Sequence, residues 1–155
     1  MSKLTKSREN TFYINDGRSN SKNSSKLYEE ICSKINITDS PKEKRKIAVD
    51  LLQKTIEANF ANLKINFEYH QLHVNRVTKG FTKVTDIVIQ TIFMFSTQHL
   101  HPLTIPTEAE RLSILAVGGY GREEMAPFSD VDLLFLTPYK ITPWAESVIE
   151  SMLYI

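Results

Sequence analysis

The sequence predicts an α+β protein in which N-terminal helices precede a small mixed sheet. Three observations carry that prediction. Apolar residues repeat at helical spacing after residue 40, residues 112–117 and 131–136 form short apolar runs, and a glycine-rich turn lies between those runs. The chain has 155 residues, which is room for one compact domain or for one domain with an extension. Hydrophobic residues make up 41% and charged residues 24%, so wholesale disorder is excluded.

Residues 1–40 read as a flexible basic extension. Residues 1–46 hold 11 Lys or Arg against 6 Asp or Glu, whereas the remainder holds 8 against 12. Within the basic part, residues 17–26 have almost no apolar content and too little to bury to offset their ordering entropy. A basic tail can touch phosphates, but a solvated extension is the preferred reading. The formal net charge of the whole chain is +1, which gives no argument for a nucleic-acid or membrane-surface partner.

Residues 41–106 read as a helical region. Ser40 can cap a helix, Pro41 suits its first position, and Glu43 can complete a capping box. Ile47, Leu51, Leu52 and Ile56 then give one apolar face, and the helix can continue through Phe60 and Leu63. Residues 82–100 carry the Val and Ile content of a strand, but Val84, Ile87, Val88 and Phe95 also fit a helical stripe. The length of that segment favours a helix, ended by Pro102 and Pro106. Residues 112–117 and 131–136 are expected strands, and Thr142-Pro143 starts a last helix that runs into an apolar C-terminus with no capping signal.

Cys32, the sole cysteine, has no partner for an internal disulfide and no second thiolate for a zinc site, and it reads as inert and partly buried. Residues 1–10 lack the apolar stretch of a signal peptide. The most apolar window, residues 87–95, is far shorter than a membrane span. The expected location is the cytoplasm, so the sequons at Asn23 and Asn36 carry little weight. His70-Gln71-Leu72-His73 and His99-Leu100-His101 have no Cys or carboxylate cluster at zinc spacing and read as surface or packing histidines. Trp144 is expected to pack on the core.

The chemistry-bearing segment is Val117-Gly118-Gly119-Tyr120-Gly121-Arg122, followed after six residues by Ser129-Asp130-Val131-Asp132-Leu133-Leu134. Side chains alternate along a strand, so Asp130 and Asp132 are expected on one face, with Cα atoms about 6.6 Å apart. Two carboxylates so placed at the mouth of a buried apolar strand repel each other, and a cation such as Mg²⁺ relieves this. Gly118 and Gly119 let backbone approach a ligand, exposed N–H groups in such a turn suit an anion, and Arg122 adds a fork matched to phosphate oxygens. Ser129 can donate to a phosphate or fix the loop. Tyr120 can stack on a base or fill the loop. Each feature alone has a bland reading as a turn, a solvated strand end or a surface ion pair with Glu123 or Glu124. Their order and spacing together point to a metal-assisted phosphoryl-type transfer.

Residues 117–136 resemble the nucleotidyltransferase motif of the DNA polymerase β-like superfamily. More narrowly, they resemble the N-terminal domain of the bifunctional uridylyltransferase/uridylyl-removing enzymes of bacterial nitrogen signalling. The resemblance implies an incomplete nucleotidyltransferase-type mixed sheet starting within residues 107–155. It implies UTP as substrate, with Gly118, Gly119, Arg122 and Ser129 as nucleotide contacts. It implies Mg²⁺ on Asp130 and Asp132 and transfer of UMP to a tyrosine of the PII signal protein, with removal in response to glutamine. Glu123 stands where the family often has glycine. No residue after Asp132 occupies a plausible third strand bearing the superfamily's third carboxylate, and the hydrolase and glutamine-sensing domains have no counterpart. The chain is therefore expected to be an N-terminal fragment with weak or no turnover. Two alternatives stay open: an adenylyltransferase of the same superfamily, and a non-catalytic nucleotide-binding regulatory module.

Overall fold

A computed structural model describes residues 21–70, 73–105 and 107–155. Its elements are α1 (Ser21–Ile35), α2 (Pro41–His70), α3 (Val74–Phe95) continued by a π-helical turn (Ser96–Leu100), a short 3₁₀ turn (Glu108–Glu110), β1 (Ser113–Ala116), the one-turn α4 (Gly118–Gly121), β2 (Leu133–Leu136) and α5 (Pro143–Leu153).

The expected extension over residues 1–40 needs correction from Ser21 onward. Residues 1–20 lie outside the described residues, but Ser21–Ile35 is a helix. Leu27, Ile31 and Ile35 recur every fourth residue, and all three are buried in the main core. The polar composition of residues 17–26 hid this stripe, because the apolar residues of α1 fall almost entirely in its second half.

α2 begins where the sequence places it. Glu43 N–H donates to Ser40 Oγ at 3.5 Å, but the Glu43 carboxylate accepts from Thr38 Oγ1, and Thr38 Oγ1 in turn accepts from Ser40 N–H at 3.2 Å. The capping box is thus relayed through a threonine. Leu51 and Leu52 are buried in the core, with Ile47 and Ile56 packed against it. The strand-or-helix ambiguity over residues 82–100 resolves as helix. Its buried residues include Val84, Val88, Ile92 and Phe95. The helical path continues to Leu100, ahead of Pro102; Pro106 lies outside the described residues.

α3 is the central helix, packed against α1, α2 and α5. Thr142 Oγ1 caps α5 by accepting from Ala145 N–H at 3.2 Å, with Pro143 in the first turn. Trp144 packs against the core and donates from Nε1 to the His101 carbonyl at 2.8 Å. His101 Nε2 lies 2.7 Å from Ser151 Oγ, and His99 Nε2 lies 3.0 Å from Tyr28 Oη and 3.3 Å from Cys32 Sγ. These two histidines are packing residues. His73 is exposed, and Gln71 and Leu72 lie outside the described residues.

β1 and β2 pair antiparallel, with Ser113 opposite Leu136 and Ala116 opposite Leu133. Among the described residues the sheet has these two strands, so the expected mixed sheet is corrected to an antiparallel pair. The chain leaves β1 through the glycine turn and returns alongside it in the opposite direction. β2 is also not buried on both faces. Leu133 and Phe135 pack against the core, while Leu134 and Leu136 are exposed.

If α1 belongs to the core, truncating its most buried side chain removes packing the molecule needs. Ile31→Ala is expected to lower unfolding free energy by about 2–5 kcal/mol in urea denaturation. A change within about 0.5 kcal/mol, as for a surface position, would return α1 to the status of an extension.

Candidate functional site

The glycine turn begins at the end of β1. Val117 N–H donates to the Asp132 carbonyl at 3.1 Å, adding one rung beyond the β1–β2 ladder. Gly118 then adopts φ +59°, which a side chain adopts only with strain. Gly121 N–H returns to the Val117 carbonyl at 2.9 Å, and Glu124 N–H to the Gly119 carbonyl at 2.9 Å.

The Asp132 side chain closes against this turn. A Cβ at Gly118 would meet Asp132 Oδ2 at under 3.0 Å and Asp132 Cγ at 3.3 Å. The carboxylate thus lies over the bare Cα of Gly118. Gly121 is constrained differently, because a Cβ there would stand 2.6 Å from the backbone oxygen of Ala116. At Gly119 the nearest atom to an added Cβ is 3.9 Å away, an ordinary contact.

Asp130 is exposed, as is Asp132. β2 starts at Leu133, two residues later than the sequence suggests, so the strand alternation expected for the two aspartates falls on a segment outside the ladder. Their carboxylates supply hard oxygen donors of the kind Mg²⁺ takes. Among the described residues there is no group of three or more His, Cys, Asp or Glu side chains that could hold a metal ion. A two-carboxylate set fits Mg²⁺ that retains waters and substrate phosphates as its other ligands.

Arg122 Nε donates to Glu124 Oε2 at 2.9 Å, and both side chains are about two-thirds exposed. Such a pair contributes at most ~1 kcal/mol, so a phosphate can compete for the guanidinium. Ser129 Oγ accepts from Ala126 N–H at 2.9 Å, and Ser129 N–H donates to the Ala126 carbonyl at 3.1 Å. Ser129 therefore fixes the loop, and its hydroxyl proton is still a donor. Tyr120 is 2% exposed and fills a small core cluster with Phe81 and Met125, which leaves its ring no face for a base to stack on.

Sequence reasoning missed three features. Asp86, buried on α3, accepts from the Tyr120 hydroxyl at 2.7 Å. It sits as one acidic residue inside an apolar stripe, and nothing in the sequence links it to the turn. Among the described residues the non-glycine positions at positive φ are Glu123 (60°) and Phe128 (67°), both in the loop between the turn and Asp132. A left-handed backbone costs a non-glycine residue some strain, and Glu123 also pairs with Lys79 at 3.6 Å. Third, an apolar groove of about 900 Å³ runs between α2, α3, the Met125–Val131 loop and the end of α5, lined by residues including Phe60, Phe81, Phe128 and Leu153.

Curated relatives match most of this chain. It is 51% identical over 111 residues to a bifunctional uridylyltransferase/uridylyl-removing enzyme of Ruegeria pomeroyi, covering 72% of this chain and 12% of that protein. It is related to the bifunctional uridylyltransferase/uridylyl-removing enzymes. The namesake from Cereibacter sphaeroides is 50% identical over 115 residues, covering 74% of this chain and 12% of the relative. That from Caulobacter vibrioides is 47% identical over 114 residues, with 72% and 12% covered. The chain therefore spans about one-eighth of the length of these uridylyltransferase relatives. No family model and no solved structure matches it.

The three glycines are expected to respond unequally to alanine. Gly118→Ala and Gly121→Ala should each lower stability by at least about 1 kcal/mol in chemical denaturation, one through left-handed backbone and the Asp132 clash, the other through the Ala116 carbonyl. Gly119→Ala should change it by less than about 0.5 kcal/mol. Equal effects at all three would contradict the packing of Asp132 on Gly118.

Proposed function

We propose that this chain carries the nucleotide-binding turn of an enzyme that transfers UMP from UTP to a tyrosine of the PII signal protein. The observation that supports this most is the Asp132 carboxylate packed on the Cα of Gly118. It sets an anionic, metal-binding type of group beside backbone amides that open a short helical turn, whose first N–H groups lack intrahelical acceptors. The name of the relatives supports uridylyl transfer as the chemistry.

In this reading the amides of Gly118 and Gly119 and the Arg122 guanidinium hold the β- and γ-phosphates, which leave as pyrophosphate. Arg122 releases Glu124 to do so. Ser129 holds the loop that presents Asp130 and Asp132. Mg²⁺ bound by those two carboxylates supplies charge neutralisation at the transferring phosphate. The acceptor tyrosine hydroxyl attacks the α-phosphorus in line, displacing pyrophosphate. Removal of UMP by hydrolysis, and its response to glutamine, belong to other parts of the longer relatives. The location in this reading is the cytoplasm. No helix among the described residues is long and apolar enough to cross a membrane.

Calorimetry on the protein with MgUTP and MgATP tests this proposal. MgUTP is expected to bind in preference to MgATP, and Asp132→Asn to weaken it by roughly 10- to 100-fold or more, the loss seen even for outer-sphere partners of a metal. Preference for MgATP would favour adenylyl transfer. Nucleotide binding indifferent to Asp132 would favour a degenerate regulatory module. The 155-residue chain alone is expected to show weak or no UMP transfer, and robust transfer would refute its expected dependence on a further carboxylate.

A further inference from the structure

Three of the four residues of α4 are glycines, so the turn has a single side chain with which to hold its place. That side chain is Tyr120. Its ring packs in one buried cluster with Phe81 of α3 and Met125 of the following loop, and its hydroxyl donates to Asp86 Oδ1 at 2.7 Å, across 34 residues of sequence. Asp86 is only 6% exposed. A buried carboxylate is costly to hold, and an apolar side chain of similar size would pack there at lower cost. Packing alone therefore does not account for Asp86. A hydrogen bond to a fixed oxygen does what ring packing cannot: it sets how deep the ring sits and how it is rotated.

Gly118, which carries the Asp132 contact, is two residues before Tyr120, and Gly121 N–H and Glu124 N–H tie the same turn to Val117 and Gly119. A shift of Tyr120 relative to α3 would move Gly118 relative to Asp132. The ion pair of Lys79 with Glu123 joins α3 to the same loop, but the Lys79 side chain is half exposed and the contact is 3.6 Å, so it is the weaker tie.

We propose that Asp86 and Tyr120 are positioning residues, a buried strut from α3 that holds the glycine turn in register with Asp132. As a statement about nucleotide binding, it rests on the function proposed above. As a statement about the turn, it stands on the geometry alone.

Two measurements on the protein and on Tyr120→Phe, Asp86→Asn and Asp86→Ala test it. The first is amide hydrogen exchange at Gly121 and Glu124, and the second is MgUTP affinity by calorimetry. Tyr120→Phe keeps the ring and removes the hydrogen bond, so it remains informative if Asp86→Ala fails to fold. Tyr120→Phe is expected to speed exchange at those two amides by roughly tenfold while leaving α1 and α2 amides unchanged, and to weaken MgUTP by a similar factor. Asp86→Asn, whose side-chain oxygen still accepts from Tyr120, is expected to stay within about threefold of the parent in both. Exchange at Gly121 and Glu124 unchanged in Tyr120→Phe, or raised equally throughout the chain, would overturn the strut. Local exchange as expected, with no MgUTP binding by the parent protein, would uphold the strut and overturn the nucleotide reading.

Discussion

The Asp132 carboxylate occupies the space that a side chain at position 118 would fill. Several features of the local order meet at that contact. Gly118 takes a left-handed backbone, β1 ends in a single helical turn, and Val117 pairs with Asp132 beyond the end of the sheet. The left-handed φ of +59° favours glycine at position 118 before any ligand is considered, and the bare Cα lets the exposed Asp132 carboxylate rest against it.

The turn has no core of its own. It is held from outside, by Tyr120 reaching into the cluster of Phe81 and Met125 and by the Asp86 carboxylate beyond it. α3 is thus more than packing for the other helices. It anchors the main core along one length and the glycine turn along another. The strain in the loop is local to the same region, with Glu123 and Phe128 in left-handed backbone and Phe128 fully exposed. Strained backbone of this kind persists only where surrounding contacts over-determine it, and it tends to collect where a ligand is held.

The face around the turn is open in two ways. Leu134 and Leu136 are left exposed on one side of β2, and the groove beside Phe60 and Phe81 is wide and apolar. Both adjoin the loop that presents Asp130 and Asp132.

The sequence by itself determined the local events. Ser40-Pro41 and Thr142-Pro143 start helices because their side chains and fixed φ act within one turn. The Gly118–Arg122 turn and the Ser129 loop bonds are likewise local, closed by backbone and side-chain hydrogen bonds that span three to five residues. Only the tertiary structure decided what depends on distant partners. It placed α1 in the core through Leu27, Ile31 and Ile35, made the sheet an antiparallel pair, and turned Tyr120 inward onto Asp86. A polar stretch ahead of α1 and one acid inside an apolar stripe carry no local signal, because burial and hydrogen bonding across 34 residues are set by how helices pack and not by which residues are neighbours in the chain.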